Sequence, residues 1–373
     1  MTPSLLRFVV CSTWGALIAC ASHDAGPGSA SVSQGKGADS AVTSHSVAKP
    51  ESAAARVAPA PPAVVASGPD TAKPHLGPGR NKHDSLTFAS AVAFGRRQAA
   101  KWPTSPAPLP GAILPSHRII AFYGNPLSKR MGVLGEYPPD VMLAKLDTAV
   151  RAWQAADPSK PVKPALHYIA AVAQGSAGKD GMWRARMDSA RIETVYGWAK
   201  SHNALLFLDV QVGKSTMQRE LPPLMKFLER PDVHLGMDAE FSMHYGAEGL
   251  PPGKRIGQFD AADVNWVSSQ LRALVDQKKL PPKVLVVHRW TKAMISHASD
   301  IKLDPRVQIV MHMDGWGPPW MKFESYRDYI DLEPVEFTGF KLFFHNDTKK
   351  GNALLTPAEL LWLRPKLMYI QYQ

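Results

Sequence analysis

From Arg118 onward, short apolar runs rich in Val, Ile, Leu and Phe alternate with stretches in which apolar residues recur every three or four positions. The runs predict strands at Arg118–Tyr123, Ala165–Val172, Leu205–Gln211, Val233–Phe241, Val284–His288, Val307–Asp314, Phe340–His345 and Leu367–Gln371. The longer-period stretches predict helices near Val141–Ala156, Ser189–His202, Met217–Leu228, Ala261–Lys279, Lys292–Ile301, Phe323–Ile330 and Pro357–Leu363. Met142, Leu146, Val150 and Trp153 form one stripe at helical spacing, and Val264, Val267, Leu271, Leu274 and Val275 another; both read as core packing. Strand and helix in strict alternation mean parallel βαβ units, and eight of them close most simply into a (β/α)8 barrel, an α/β fold of the TIM type. A doubly wound open sheet is the competitor, but the Gly-rich nucleotide loop usual in it is missing. With no helix after the eighth strand, the barrel domain of residues 113–373 leaves its outer ring open between the seventh helix and the first.

The chain ahead of the barrel divides differently. Arg7, the apolar stretch Phe8–Ile18 and the small Ala19 have the layout of a secretory signal. Leu17-Ile18-Ala19-Cys20 resembles the bacterial lipobox, which implies cleavage after residue 19 and lipidation of Cys20. Residues 20–83 are mostly Ala, Ser, Pro and Gly, a composition that cannot bury enough apolar surface to offset ordering entropy, and read as a tether. Asp84 or Ser85 would then cap a helix presenting Phe88, Ala91, Val92, Gly95, Ala99 and Trp102 on one side. Pro103 ends it, and Pro106, Pro108, Pro110 and Pro115 make an extended lead-in; residues 84–112 read as helical segment and lead-in, of which Asp84–Trp102 should cover part of the barrel's exterior or floor. The expected location is therefore the cell envelope, exported and held at a membrane by a lipid.

Charge and cysteine usage narrow the function classes. The net charge of +11 favours anionic surfaces, but no Lys/Arg run is dense enough to argue for nucleic acid. The only cysteines, Cys11 and Cys20, precede the folded region, which leaves it without disulfides or a Cys-based zinc site.

Candidate chemistry gathers at the predicted strand ends, where side chains two residues apart share a face. Tyr123 and Asn125 end the first strand, Asp209 and Gln211 the third, Asp238 and Glu240 the fourth, His288 the fifth, His312 and Asp314 the sixth, His345 and Asp347 the seventh, and Gln371 the eighth. A polar tip on one strand is unremarkable, whereas polar tips converging on one rim mark a functional cavity. His167 and His234, early in their strands, read as buried core histidines, and His244 and His297 as loop residues. Trp290, Trp316 and Trp320 follow strands five and six, where indoles can stack on sugars.

Asp238-x-Glu240 with Asp314 resembles the layout of chitinase-like and Chalaropsis-type lysozyme glycosidase barrels, in which a Glu two residues past an Asp on strand four donates the proton. The Asp-rich run that precedes the donor in chitinases has no counterpart in Val233–Met237, and Tyr123 and Asn125 stand where the lysozyme type carries an Asp. Phe122-Tyr123-Gly124-Asn125, Arg255-Ile256-Gly257, Lys283–His288 and Tyr369-Ile370-Gln371 are similar to secreted or lipid-anchored bacterial barrel proteins, a likeness that implies the fold and no activity. Three functions are expected in order. The first is a glycoside hydrolase with Glu240, Asp238, Asp314 and Asp209 as its acids. It would hold a polysaccharide through Tyr123, Gln211, His288, Trp290, Trp316, His345, Asp347 and Gln371 and need no cofactor. The second is a hydrolase dependent on a divalent metal at His312, Asp314, His345 and Asp347, with His288. The third is a carbohydrate-binding lipoprotein without catalysis.

Overall fold

The computed structural model describes residues 74–373. The signal segment, Cys20 and the tether as far as residue 73 lie outside the described residues. Eight parallel strands close on themselves: β1 (Arg118–Gly124), β2 (Val162–Ala173), β3 (Leu205–Val210), β4 (Val233–Asp238), β5 (Lys283–Arg289), β6 (Val307–Met313), β7 (Phe337–Leu342) and β8 (Tyr369–Tyr372). β1 pairs with β2 on one side and with β8 on the other, Ile119 lying opposite Lys163 and Tyr369, so no edge is left and the fold is the (β/α)8 barrel. The strand residues are buried on both faces, which is why they appear in the sequence as runs rather than alternations.

Inward-facing residues fill the barrel in layers. Leu114, Ile119, Ala121, Ala165, Leu205, Phe207, Val284, Val286 and Val310 form an apolar floor. Leu114 enters from the Pro-rich lead-in, and Gln308 holds it there, accepting from the Ile113 and Leu114 amides and donating to the Leu114 carbonyl. Outside the strands, α2 (Pro139–Ala156), α3 (Ser189–Ser201) and α4 (Ala261–Lys278) pack through the stripes expected of them, with Met142, Leu146, Trp153, Val264, Val267, Leu271, Leu274 and Val275 all buried.

Two crossovers differ from expectation. The helix expected over Met217–Leu228 is two single turns, Met217–Glu220 and Met225–Leu228, because Pro222 and Pro223 interrupt the backbone ladder. The helix expected over Lys292–Ile301 is two 3-10 turns around a short strand, Ile295–Ser296, paired with Phe259–Asp260. His297 there adopts a left-handed φ of 52°, and Asp260 accepts hydrogen bonds from Ser296 and the His297 ring, so the chain turns instead of winding on.

The segment ahead of the barrel closes the outer ring. α1 (Lys82–Gln98) is capped by Asn81, one turn earlier than the sequence suggests, in a reciprocal capping box with Asp84. Phe88 meets Phe323 of α5 (Pro319–Tyr326) at 5.1 Å, and Asp84 accepts from the Trp320 amide. A Cβ at Gly95 would lie 2.3 Å from the Arg364 carbonyl, so that contact needs glycine. Arg80 forms an ion pair with Glu359 of α6 (Pro357–Leu360) at 2.8 Å, and His75 packs edge-on to Trp362. Residues 75–83, which composition assigns to the tether, therefore belong to the folded region. α1 packs on α5, and α6 in turn touches α2. The extra helix covers the ring beside α5.

Candidate functional site

The layer above the apolar floor is polar and sealed. His167 on β2, Asp209 on β3, His288 on β5 and His312 on β6 each show no solvent exposure. They reach one another because β4, which runs between β3 and β5, contributes Gly236 at this level. A Cβ on Gly236 would stand 2.4 Å from both Asp209 Oδ1 and His167 Nε2. Asp209 Oδ2 accepts from the Tyr123 hydroxyl at 3.0 Å, while its Oδ1 lies 3.3 Å from His167 Nε2 and 3.5 Å from His288 Nε2. His167 Nδ1 meets the Tyr369 hydroxyl at 2.6 Å, and His288 Nδ1 meets Asp314 Oδ2 at 2.8 Å. Lys341 of β7 completes the group, with its Nζ 2.9 Å from Asp314 Oδ1 and 3.8 Å from the centre of the Tyr123 ring.

Burial alone would neutralise these groups, and their mutual charges decide which stay ionised. Burial lowers the proton affinity of His288, but Asp209 and Asp314 outweigh it and bring the pKa up to about 10. Burial raises Asp209 and Asp314 as well, yet His288 on the first, and Lys341 with His288 on the second, hold both carboxylates well below the usual range. His167 is lowered to about 4, chiefly by burial. His312 falls well below its usual value through burial and then the charge of His288. At neutral pH the layer is an imidazolium between two carboxylates, flanked by two neutral imidazoles.

The rim rests on this layer. Gln211 donates to Asp238 Oδ2 at 3.0 Å, and its Oε1 accepts from the Ala173 amide. β4 ends at Asp238, whose Oδ1 accepts from the Glu240 amide and caps a 3-10 turn over Ala239–Phe241. Glu240 is therefore on a turn, not on the strand, and does not share a strand face with Asp238 by alternation. The turn carries it outward, half-buried, to where the Trp290 indole N–H approaches Glu240 Oε2 at 3.4 Å. Burial, then the charge of Asp238, then that of Asp314, push the Glu240 carboxyl up to about 8. Burial, with Asp209 and Asp314 offsetting His288, brings Asp238 up to about 6. The Glu240 carbonyl accepts from the Gly257 amide, and beyond it lies a cavity of about 230 Å³ lined by His244, Tyr245, Arg255, Gln258 and Thr291.

The barrel brings together Tyr123, Asp209, Gln211, Asp238, His288, His312 and Asp314, with Glu240 and Trp290 above them. Gln371 points into the same interior, donating to the Tyr369 hydroxyl at 3.2 Å. Four candidates lie elsewhere. β7 ends at Leu342, so His345 falls on the following turn, where its exposed ring meets Glu136 at 2.9 Å. Asp347 ties loops together: it accepts from the Gly317 and Phe343 amides and pairs with Lys322 at 2.8 Å. Trp316 is 49% exposed, with Lys349 as the cation over its ring. Trp320 stacks on His83 in the outer layer. The metal set of His312, Asp314, His345 and Asp347 therefore does not assemble. His167, Tyr369 and Lys341 belong to the cluster although their strand-end patterns do not reveal them. Among the described residues, the ligand groups that do come within reach of one ion are His167, Asp209 and His288, or His288, His312 and Asp314. No protein-family model matches the chain and no curated protein is a significant match to it, so the site is read from its own geometry.

Proposed function

We propose that this chain is a glycoside hydrolase of the bacterial cell envelope, with Glu240 as the proton donor to the leaving oxygen. The observation that carries the reading is a half-buried carboxyl at the barrel mouth, pushed up to about 8 beside carboxylates that stay charged. Glycosidic cleavage needs that asymmetry: one carboxylic acid protonates the departing oxygen while a carboxylate stabilises positive charge at the ring carbon. Asp238 is the nearest such carboxylate, fixed by Gln211 and the Glu240 amide, with Asp314 behind it. Trp290, whose indole N–H approaches Glu240 Oε2, offers an aromatic face for a sugar ring beside the acid.

Asp209 is assigned a supporting role, because it lies in the sealed layer and already engages Tyr123 and the two histidines. Residence in the envelope rests on the Leu17–Cys20 motif. Among the described residues no helix is long and apolar enough to cross a membrane. The test is turnover of a polysaccharide panel by the full chain. Glu240→Gln should lower the rate on any glycan cleaved by about 10²–10⁴-fold with binding retained. Near-full activity in Glu240→Gln would sink the assignment, and binding without turnover by the wild type would leave the carbohydrate-binding reading.

A further inference from the structure

Beneath the carboxylates, we infer that His167, Asp209 and His288 form a binding site for a divalent transition metal, with zinc the best match to two imidazoles and one carboxylate. The inference does not depend on the glycosidase reading. Its basis is a contradiction inside the polar layer. His167 Nε2, Asp209 Oδ1 and His288 Nε2 are all buried, and each lacks a hydrogen-bond partner. They stand 3.3 and 3.5 Å apart across Asp209 Oδ1, close enough to attract but misaligned for hydrogen bonding. Buried polar atoms are seldom left so. A single ion would satisfy all three: the three atoms lie within 4.8 Å of one another, and with metal–ligand bonds of about 2.1 Å the 3.3 and 3.5 Å separations from Asp209 Oδ1 subtend roughly tetrahedral angles.

The atoms behind the ligands agree. Metal-bound histidines ordinarily hydrogen-bond through their second ring nitrogen, which fixes the tautomer and aims the first. His167 does so to the Tyr369 hydroxyl at 2.6 Å and His288 to Asp314 at 2.8 Å, and Asp209 Oδ2 is held by Tyr123. Gly236 leaves the space in front of two of the ligand atoms free of side chain. The neighbouring set of His288, His312 and Asp314 is a poorer match, since His288 Nδ1 and Asp314 Oδ2 already close a hydrogen bond on each other.

The test uses the untagged full chain, refolded or grown with zinc or with cobalt, then dialysed against metal-free buffer. About one ion per chain by elemental analysis is expected, together with the intense visible absorption of tetrahedral cobalt and a melting temperature raised by the metal. His167→Gln and Asp209→Asn should each lose the ion and the band, whereas His345→Ala, whose ring lies outside the cluster, should keep both. Should the ligand variants fail to fold, the cobalt spectrum and metal-dependent melting of the wild type decide alone. A wild type with no retained metal and an unchanged melt overturns the inference. So does an ion that survives His167→Gln or disappears in His345→Ala.

Discussion

A methyl group at position 236 tests the sealed layer more sharply than the loss of any charge. In Gly236→Ala the new Cβ would stand 2.4 Å from Asp209 Oδ1, 2.4 Å from His167 Nε2 and 2.8 Å from His167 Cε1. Neither neighbour is a free-swinging terminus: Tyr123 holds Asp209, Tyr369 holds His167, and Phe207 stacks on the His167 ring at 5.3 Å. Overpacking in a tight core costs about 1–3 kcal/mol. Forcing apart a buried, charged cluster adds a penalty of the order of that for breaking a buried ion pair, about 3–5 kcal/mol. A loss of about 4–8 kcal/mol is expected from the two together, read as a fall in the urea midpoint at unchanged slope. Gly197→Ala, on α3 with nothing beyond its own helical turn within 4 Å of the added Cβ, is the matched control. It should be stabilising by about 0.5–1 kcal/mol, because the same methyl there restricts only the unfolded chain. Equal midpoints for the two variants would show that the polar layer yields freely and is not the rigid base described above.

Three further outcomes follow. Lys341→Met removes one partner of a buried pair and leaves Asp314 with His288 alone, so a loss of about 3–5 kcal/mol in chemical unfolding is expected, against little change if Lys341 is incidental. Phe88→Ala opens a cavity against Phe323 and should cost about 3–5 kcal/mol; a silent substitution would mean that α1 is not part of the folded unit. Glu240 has a folded-state pKa raised to about 8, so its contribution to stability is present below the unfolded carboxyl range and lost as pH rises through 8. Glu240→Gln should therefore gain stability relative to the wild type between pH 5 and 9, and parallel stability curves would contradict the raised carboxyl.

The barrel was legible because its physics is local. Strands buried on both faces leave apolar runs, and helices resting on them leave stripes such as Val264, Val267, Leu271, Leu274 and Val275. The crossovers broken by Pro222-Pro223 and by the left-handed His297 were not, because apolar spacing persists through a chain that no longer winds. At the site the errors come from where a strand stops. β7 leaves the sheet at Leu342, so the period-two pattern that continues through His345 and Asp347 no longer means a shared face. β4 stops at Asp238, and the 3-10 turn moves Glu240 outward. Lys341 sits inside the run Phe340–Phe343 and carries no local sign that it pairs with Asp314 across the barrel. His167 and Asp209 were recognisable singly, but their meeting with His288 depends on a glycine on the strand between β3 and β5.

The most direct measurement of the central claim is the pH dependence of kcat/KM on a cleaved glycan, compared between the wild type and Asp238→Asn. Glu240 must carry a proton to act and Asp238 must have lost one, so the wild-type rate should rise through about 6 and fall through about 8. Asp238→Asn removes the charge that, after burial, does most to raise Glu240, so the falling limb should move to lower pH as the rate drops. A falling limb that stays in place in Asp238→Asn, or that survives in Glu240→Gln, would assign the proton to another group and contradict the account.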